Sequence, residues 1–309
     1  MLMNPALSVV ICTYNRPRLL ERALESLTRQ TINPANLEVV VVDNNSTNDT
    51  AELIERFRPR LPHFQGLHEN RQGLSFARNH GWRSSRGDFI AFLDDDACAD
   101  PDWCERILTA FRTVSPAPAS VGGMILPLYE SPPPPWFDDD FEIRTWGDTA
   151  HFLGGEWGRF GFSGSNMAFP REILDRFGGF STELGMVGGR LRLGEERELF
   201  YRIHPELPLF WYDPEIRVKH WAPVRNMRIN YLLLRSFRAG QSRALIESCQ
   251  KFSATYLKEV RDLAVIVKEL LCSLWPSADG YRANLARKLC RVSHQLGVLV
   301  GPGKEAKDE

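Results

Sequence analysis

Apolar positions in the first hundred residues follow two alternating rhythms. Leu7-Ser-Val-Val-Ile-Cys-Thr13 is a short β-branched run that ends in a turn at Asn15-Arg16-Pro17. Leu19, Leu20, Ala23, Leu24 and Leu27 follow, spaced to share one face of a helix. Glu38-Val-Val-Val-Val-Asp43 is apolar at every interior position, as expected of a strand buried on both faces. Asn44 to Thr47 is a turn and cap cluster ahead of a helix over Ala51–Phe57, and Phe64–His68 reads as a third strand. A helix over Leu74–Ser85 is expected to stop at Gly87. Phe89-Ile-Ala-Phe-Leu93 is a fourth strand that runs into Asp94-Asp95-Asp96. Pro101 opens a helix over Asp102–Thr113.

This β-α-β-α order predicts an α/β fold, a parallel sheet with helices on both faces. Such sheets bind ligands beyond the carboxyl ends of their strands. Thr13, Asp43 and Asp94–Asp96 all fall there. After Val121–Leu126 the alternation weakens. Ser131-Pro-Pro-Pro-Pro-Trp136 is stiff and extended, and residues 137–159 read as an irregular, functional loop. Phe162–Phe169 reads as a short strand and turn, Arg171–Phe177 as a helix closed by Gly178-Gly179, and Gly194–Arg202 as a helix start. Phe210–Tyr212 and Ile216–Trp221 read as two late strands. From Met227 to about Leu299 the pattern is helical, in three segments broken near Phe252 and at Pro276–Gly280.

Composition narrows the function classes. The chain has 309 residues and a net charge of -1, which does not favour nucleic acid as a partner. No apolar run approaches the roughly 20 residues of a membrane span, and the first residues show no secretory signal. The six cysteines form no CxxC pair, which suits scattered reduced thiols in a cytoplasmic protein. Charge is unevenly spread. Residues 1–221 carry 23 Lys and Arg against 31 Asp and Glu, whereas residues 222–300 carry 13 against 5. That basic, amphipathic helical segment is either a cap on the domain before it or in a dimer, the preferred reading, or an interfacial contact with an anionic membrane. Oligomeric state is not legible.

Three adjacent carboxylates at a strand end repel one another unless solvated or paired with a cation. Hard divalent cations take such oxygen ligands together with substrate phosphates. An EF-hand frame over Asp94–Glu105 fails, because the glycine position is Ala99 and a strand precedes it. Neither GxxxxGK[ST] nor GxGxxG follows the first strand, so a nucleotide here would rest on polar strand ends and a metal.

The ordered set Val9–Pro17, Val40–Thr47, Asn70-Arg-Gln-Gly73 with Ala77-Arg-Asn79, Phe92–Asp96, Gly164–Phe169, Gly178-Gly-Phe180, Gly194–Leu199 and His220 resembles glycosyltransferase family 2. The resemblance spans about residues 5–222. It implies a GT-A (Rossmann-like) mixed, mainly parallel sheet flanked by helices, with a catalytic domain over 1–222 and a helical extension over 223–309. It implies inverting transfer of a sugar from a nucleotide-diphosphate donor, UDP favoured, to a glycan or lipid-linked acceptor hydroxyl in surface polysaccharide or glycolipid assembly. The setting would be cytoplasmic, at the inner face of the cell membrane if the basic segment meets lipid. By the same resemblance Thr13, Tyr14, Arg16, Asp43, Asn70, Arg78, Asp94 and Asp95 would hold the donor. Asp96, with Asp94 and His220, would hold a divalent cation, Mn²⁺ or Mg²⁺. Glu196 would be the base, with Glu195 the runner-up. Gly164, Ser165, Asn166 and Trp136 would line the sugar or acceptor pocket; Trp136, Trp146 and Trp157 would either stack on sugars or form local core. Two other classes stay open: a sugar nucleotidyltransferase, and a non-catalytic nucleotide-sugar-binding protein.

Overall fold

The computed structural model describes residues 5–154, 161–188, 192–247, 254–272 and 281–301. They form two compact units. The first takes in residues up to 128 with 142–188 and 195–221; the second takes in 129–141, 192–194 and the chain from 222 on.

In the first unit, strands β1 (Leu7–Thr13), β2 (Leu37–Asp43), β3 (His63–His68) and β4 (Phe89–Phe92) lie parallel in the order β3-β2-β1-β4. Valines supply the sheet with two buried faces. Val9, Ile11, Val39 and Val41 join one core, and Val10, Val40 and Val42 the other. The intervening helices are α1 (Pro17–Leu27), α2 (Thr50–Phe57) and α3 (Leu74–Ser84). Helix α3 packs closely on β1 and β2 because Gly81 lacks a side chain: a Cβ there would sit 2.4 Å from Val10. Because β2 and β4 flank β1 on opposite sides, the chain reverses its direction of travel across the sheet at β1. That switch point opens a crevice at the strands' carboxyl ends.

Beyond β4 the sheet turns antiparallel, through β8 (Met167–Pro170), β6 (Ser120–Tyr129), β9 (Phe210–Ala222) and β5 (Ala97–Ala99), with β7 (His151–Phe152) pairing with β9. Helices α4 (Trp103–Thr113), α5 (Arg171–Phe177) and α6 (Glu195–Ile203) complete the unit. Helix α5 ends at Gly178, whose φ of 81° only glycine adopts readily.

Several expectations are corrected. The two late strands are one, β9, which tolerates Pro214 between the positions paired with β7 and those paired with β5. Helix α3 ends at Ser84 without Gly87, which instead allows close approach: a Cβ there would lie 2.7 Å from the Ser8 amide nitrogen. The stretch read as an irregular loop contains β7 and a bridge from Ile125 to Arg144. Strand β5 was not foreseen at all.

The second unit holds α7 (Ile229–Ile246), α8 (Ala254–Cys272) and α9 (Tyr281–Val300). Helices α7 and α9 touch backbone to backbone at two glycines. A Cβ on Gly240 would lie 1.9 Å from the His294 carbonyl, and one on Gly297 would lie 2.0 Å from that of Phe237. Phe137, Phe141, Met227, Leu232 and Ala286 form this unit's apolar cluster, and the Trp136 ring packs edge-on against Phe137 and Phe141. The helix breaks expected near Phe252 and at 276–280 lie outside the described residues, as does Trp157.

Candidate active site

Three loops close over the end of β1. The turn after β1 is stitched to the one after β2. Asn15, at a left-handed φ of 56°, accepts the Thr47 amide through Oδ1 (2.8 Å), and its own N–H reaches Ser46 Oγ (2.8 Å). Asn44 is buried and ties in the loop after β3: its amide donates to the carbonyls of Glu69 (3.0 Å) and Arg71 (2.7 Å), and its oxygen accepts the Gly73 N–H (2.7 Å). Asp43 is buried beside it and caps the turn by accepting the Ser46 N–H at 2.9 Å. The resulting cleft is lined by Thr13, Tyr14, Arg16, Asn44 and Gln72 on one side and by Asp94, Asp95, Asp96 and His220 on the other. Asp43 and Asn70 are not among its lining residues. Asn70 is exposed and offers its carbonyl to Asn45. Asn44, Gln72 and Met186 line the cleft and were missed, although the first two fall within the Val40–Thr47 and Asn70–Gly73 motifs.

The acidic triplet divides its labour. Asp95 turns inward, accepting the Thr13 hydroxyl (2.8 Å) and the Arg16 guanidinium (3.2 Å). Burial and then the Asp96 charge push its carboxyl up to about 7, against Arg16. Asp94 and Asp96 face His220, and the three offer ligand atoms within 4.8 Å of one another. Strand β5 makes this possible: it pairs Ala97 with His220 and so hangs the imidazole beside the triplet. His220 Nε2 lies 3.0 Å from Asp96 Oδ1. Burial opposes its charged form, but Asp96, Asp94 and Glu142 raise it to about 9. Asp96 is held below the usual carboxylate range: burial opposes ionisation, and His220 and Arg16 overcome it. Two carboxylates and an imidazole within this spacing form a donor set that fits a divalent cation such as Mn²⁺.

Arg78, from α3, is buried and joins this cluster to α6. Its Nη2 reaches Asp94 Oδ1 at 3.0 Å, and its Nη1 reaches Glu195 Oε1 at 2.9 Å and Glu196 Oε1 at 3.2 Å. Burial disfavours the cation, but the charges of Glu196, Asp94 and Glu195 raise its pKa well above the ordinary value. The guanidinium also lies over the Phe180 ring, at 5.4 Å. Glu195 is nearly sealed, and its Oε2 has no hydrogen-bond partner among the described residues. Burial and the Glu196 charge push its carboxyl up to about 8. Glu196 is 21% exposed and accepts the Gly164 N–H at 3.1 Å. A Cβ at 164 would lie 2.0 Å from Arg78 Nη2, so any other residue there would push the guanidinium aside.

Two residues expected in the sugar pocket are employed elsewhere. Asn166 is consumed by the fold. Its amide donates to the carbonyls of Met124 (3.0 Å) and Ile216 (2.8 Å), and its oxygen accepts the Trp103 indole N–H (2.8 Å). Trp136 sits in the second unit's aromatic cluster. Trp146 packs against Phe162 and Tyr212, as local core. Ser165 is buried beside Gly164.

The sequence profile of Glycosyl transferase family 2 matches residues 8–178, more than half of the chain. The chain belongs to glycosyltransferase family 2. Its relatives in that family include a glucosyl-dolichyl phosphate glucuronosyltransferase of Haloferax volcanii, 27% identical over 78% of this chain and 77% of that one. The succinoglycan biosynthesis protein ExoM of Rhizobium meliloti is 31% identical over 76% of this chain and 73% of its own length. Among solved structures, a mannosyltransferase from Pyrobaculum calidifontis, in complex with GDP-Man and Mn²⁺, shares the fold with a TM-score of 0.64. It is 19% identical and covers 96% of this chain and 87% of its own. TarS 1–349 from S. aureus, in complex with UDP-GlcNAc, matches at a TM-score of 0.54 and 17% identity, over 94% and 90%. The family 2 chain described here is thus a glycosyltransferase with a GT-A-like mixed sheet and a C-terminal set of helices. The acidic triplet, Arg78 and the matching strand ends lie within the matched span; the Glu pair and His220 lie after it.

Proposed function

We propose that this enzyme moves a sugar from a nucleotide-diphosphate sugar, UDP-linked in preference, to an acceptor hydroxyl with inversion at the anomeric carbon. The observation that carries the reading is the Arg78 junction, which ties one member of the cation-competent set to the Glu195–Glu196 pair. A leaving-group site and a base site side by side are what a single displacement needs.

Asp94, Asp96 and His220 would hold a divalent cation. The imidazole favours Mn²⁺ over Mg²⁺. When bound, the cation supplies neutralising charge to the departing diphosphate. Tyr14, Asn44 and Gln72 line the space for the base and ribose, while Thr13 and Arg16 act from beneath by fixing Asp95. Glu196 is the base. It is the more open of the two glutamates, whereas Glu195 is nearly sealed against Arg78. As the acceptor oxygen bonds to the anomeric carbon, Glu196 takes its proton. The bond from that carbon to the diphosphate oxygen breaks, and the electron pair leaves with the nucleotide. The names of the relatives favour a lipid-linked or polysaccharide acceptor.

The test is turnover of UDP- and GDP-sugars with Mn²⁺ present or chelated, in wild type, Glu196→Gln and Asp96→Asn. Glu196→Gln should lower kcat by about 10²–10⁴-fold, the ordinary worth of a positioned base, with nucleotide binding retained. Full activity in both variants sinks the assignments. Pyrophosphate release from a nucleoside triphosphate would replace the reading with a nucleotidyltransferase.

A further inference from the structure

The second unit leaves apolar surface uncovered in a way that the first does not. Among the described residues, nine of the ten large apolar side chains that stand exposed lie beyond residue 222. The same stretch carries the chain's basic excess, with 13 Lys and Arg against 5 Asp and Glu over residues 222–300. Three of those exposed side chains lie on α8, which also carries three cations and three acids.

The two faces of helix α8 differ. One face is enclosed. Ile266 is buried, and Glu259 is buried against α9 and α7, accepting the Gln295 amide at 2.6 Å and pairing with Arg243 at 3.0 Å. Glu269 is likewise used, in a pair with Arg291 at 2.9 Å. The opposite arc is open. Leu257 is 57% exposed, Val260 42% and Val265 56%. Arg261 and Lys268 stand exposed within the same arc, at helical spacing from those residues, with Lys258 at its edge. Two acids of the helix are thus occupied by bonds within the unit. The open face joins aliphatic side chains to cations, with Asp262 the exposed acid among the described residues of the helix.

No described helix is long and apolar enough to cross a membrane. A helix that instead lies in the interface puts aliphatic side chains among the acyl chains while Lys and Arg reach the headgroups. We propose that the α8 face docks on an anionic lipid bilayer surface, with Leu257, Val260 and Val265 entering the interface and Lys258, Arg261 and Lys268 meeting anionic headgroups. Charge complementarity selects this occupant. A second copy of the chain would bring the same cations face to face. The inference does not depend on the identity of the sugar, the base or the cation.

The experiment is vesicle flotation of the full chain at about 100 mM salt, with acceptor-free vesicles of neutral phosphatidylcholine or of phosphatidylcholine with 30% phosphatidylglycerol. The variants are Leu257→Asn with Val265→Asn, and Arg261→Glu with Lys268→Glu. Circular dichroism and melting confirm that each is folded. Wild type should partition onto the anionic vesicles at least tenfold better than onto neutral ones, and raising salt to about 500 mM should release it, because screening shortens to a few ångströms. Either double variant should weaken binding at least tenfold. The proposal is overturned by equal partition onto both vesicle types, by no partition at all, or by folded variants that bind like wild type. A wild type that dimerises in sedimentation while the Asn variant stays monomeric, with no vesicle binding, would make the face a self-interface instead.

Discussion

Arg78 is the residue on which the site turns. The family resemblance assigned it to the nucleotide, and the structure adds a second employment, since its guanidinium spans Asp94 and both glutamates. Only a planar fork with several donors can do that. Lysine keeps the charge but presents one nitrogen, so Arg78→Lys should leave Glu196 loosely held. Misplacing a reacting group by about 1 Å costs on the order of 10²-fold. We therefore expect kcat to fall about 10–100-fold while nucleotide affinity, read by calorimetric titration, stays within a few-fold. A kcat equal to wild type would show that the bridge has no part in turnover. Arg78→Ala is the cruder variant. It strands buried carboxylates and should cost about 3–5 kcal/mol of stability in denaturant melts, which makes it the poorer probe of catalysis.

At the scale of elements, the parallel half of the fold was legible throughout and the antiparallel half only in part, for a physical reason. β1, β2 and β4 announce themselves because burial on both faces demands apolar residues throughout. β5 is three residues, Ala97–Ala99, with no periodicity to read, yet it brings His220 to Asp96. Asn166 sat in a motif and looked chemical; its hydrogen bonds to Met124, Ile216 and Trp103 become visible only in three dimensions. The turn before β8 offers a direct test. Gly164→Ala would place a methyl 2.0 Å from Arg78 Nη2 and 2.4 Å from Glu196 Oε1, so activity should drop at least about 10²-fold by the same positional argument. Gly154→Ala, with nothing within 4 Å among the described residues, should be silent. Strand β2 carries a second, pH-dependent test. Glu38 is fully buried and accepts bonds from Ser8 (2.5 Å), Gln65 (2.7 Å) and both the amide and guanidinium of Arg86 (2.7 Å each), linking β1, β3 and the turn after α3. Burial would raise its pKa, but these bonds hold it below the model-peptide 4.5. A lowered folded-state pKa contributes stability that is fully present above the unfolded value and lost as pH falls through the folded one. Wild type should therefore lose melting temperature as pH drops below about 4.5, and Glu38→Gln should flatten that part of the loss. At pH 7 the variant should be less stable by about 1–3 kcal/mol, the worth of hydrogen bonds to a buried charged group.

For the whole molecule, the uneven charge separates two tasks. The acidic first unit concentrates three carboxylates at one crevice and balances them with Arg16, Arg78 and His220, while the basic excess lies in the helices after it. The balance has a thermodynamic consequence. A cation that enters among Asp94, Asp96 and His220 must displace the proton that the imidazole otherwise keeps, so the cation alone gains little. A nucleotide diphosphate alone brings negative charge toward the triplet and also gains little. Together each supplies the charge the other lacks. Scanning calorimetry of the full chain should therefore show small shifts with Mn²⁺ or with UDP separately, and a larger shift with both. A ligand at 100 times its dissociation constant adds about 2.7 kcal/mol, which for a unit of this size is roughly 2–4 °C. The shift should belong to the transition of the first unit, because every residue of the cleft lies within it. Asp96→Asn with His220→Ala should abolish the Mn²⁺-dependent part and spare whatever UDP does alone. Should UDP give the full shift with the metal chelated, in wild type and variant alike, the triplet and His220 would be a network balanced by arginines rather than a cation site, and the leaving diphosphate would have to be met by Arg16 and Arg78.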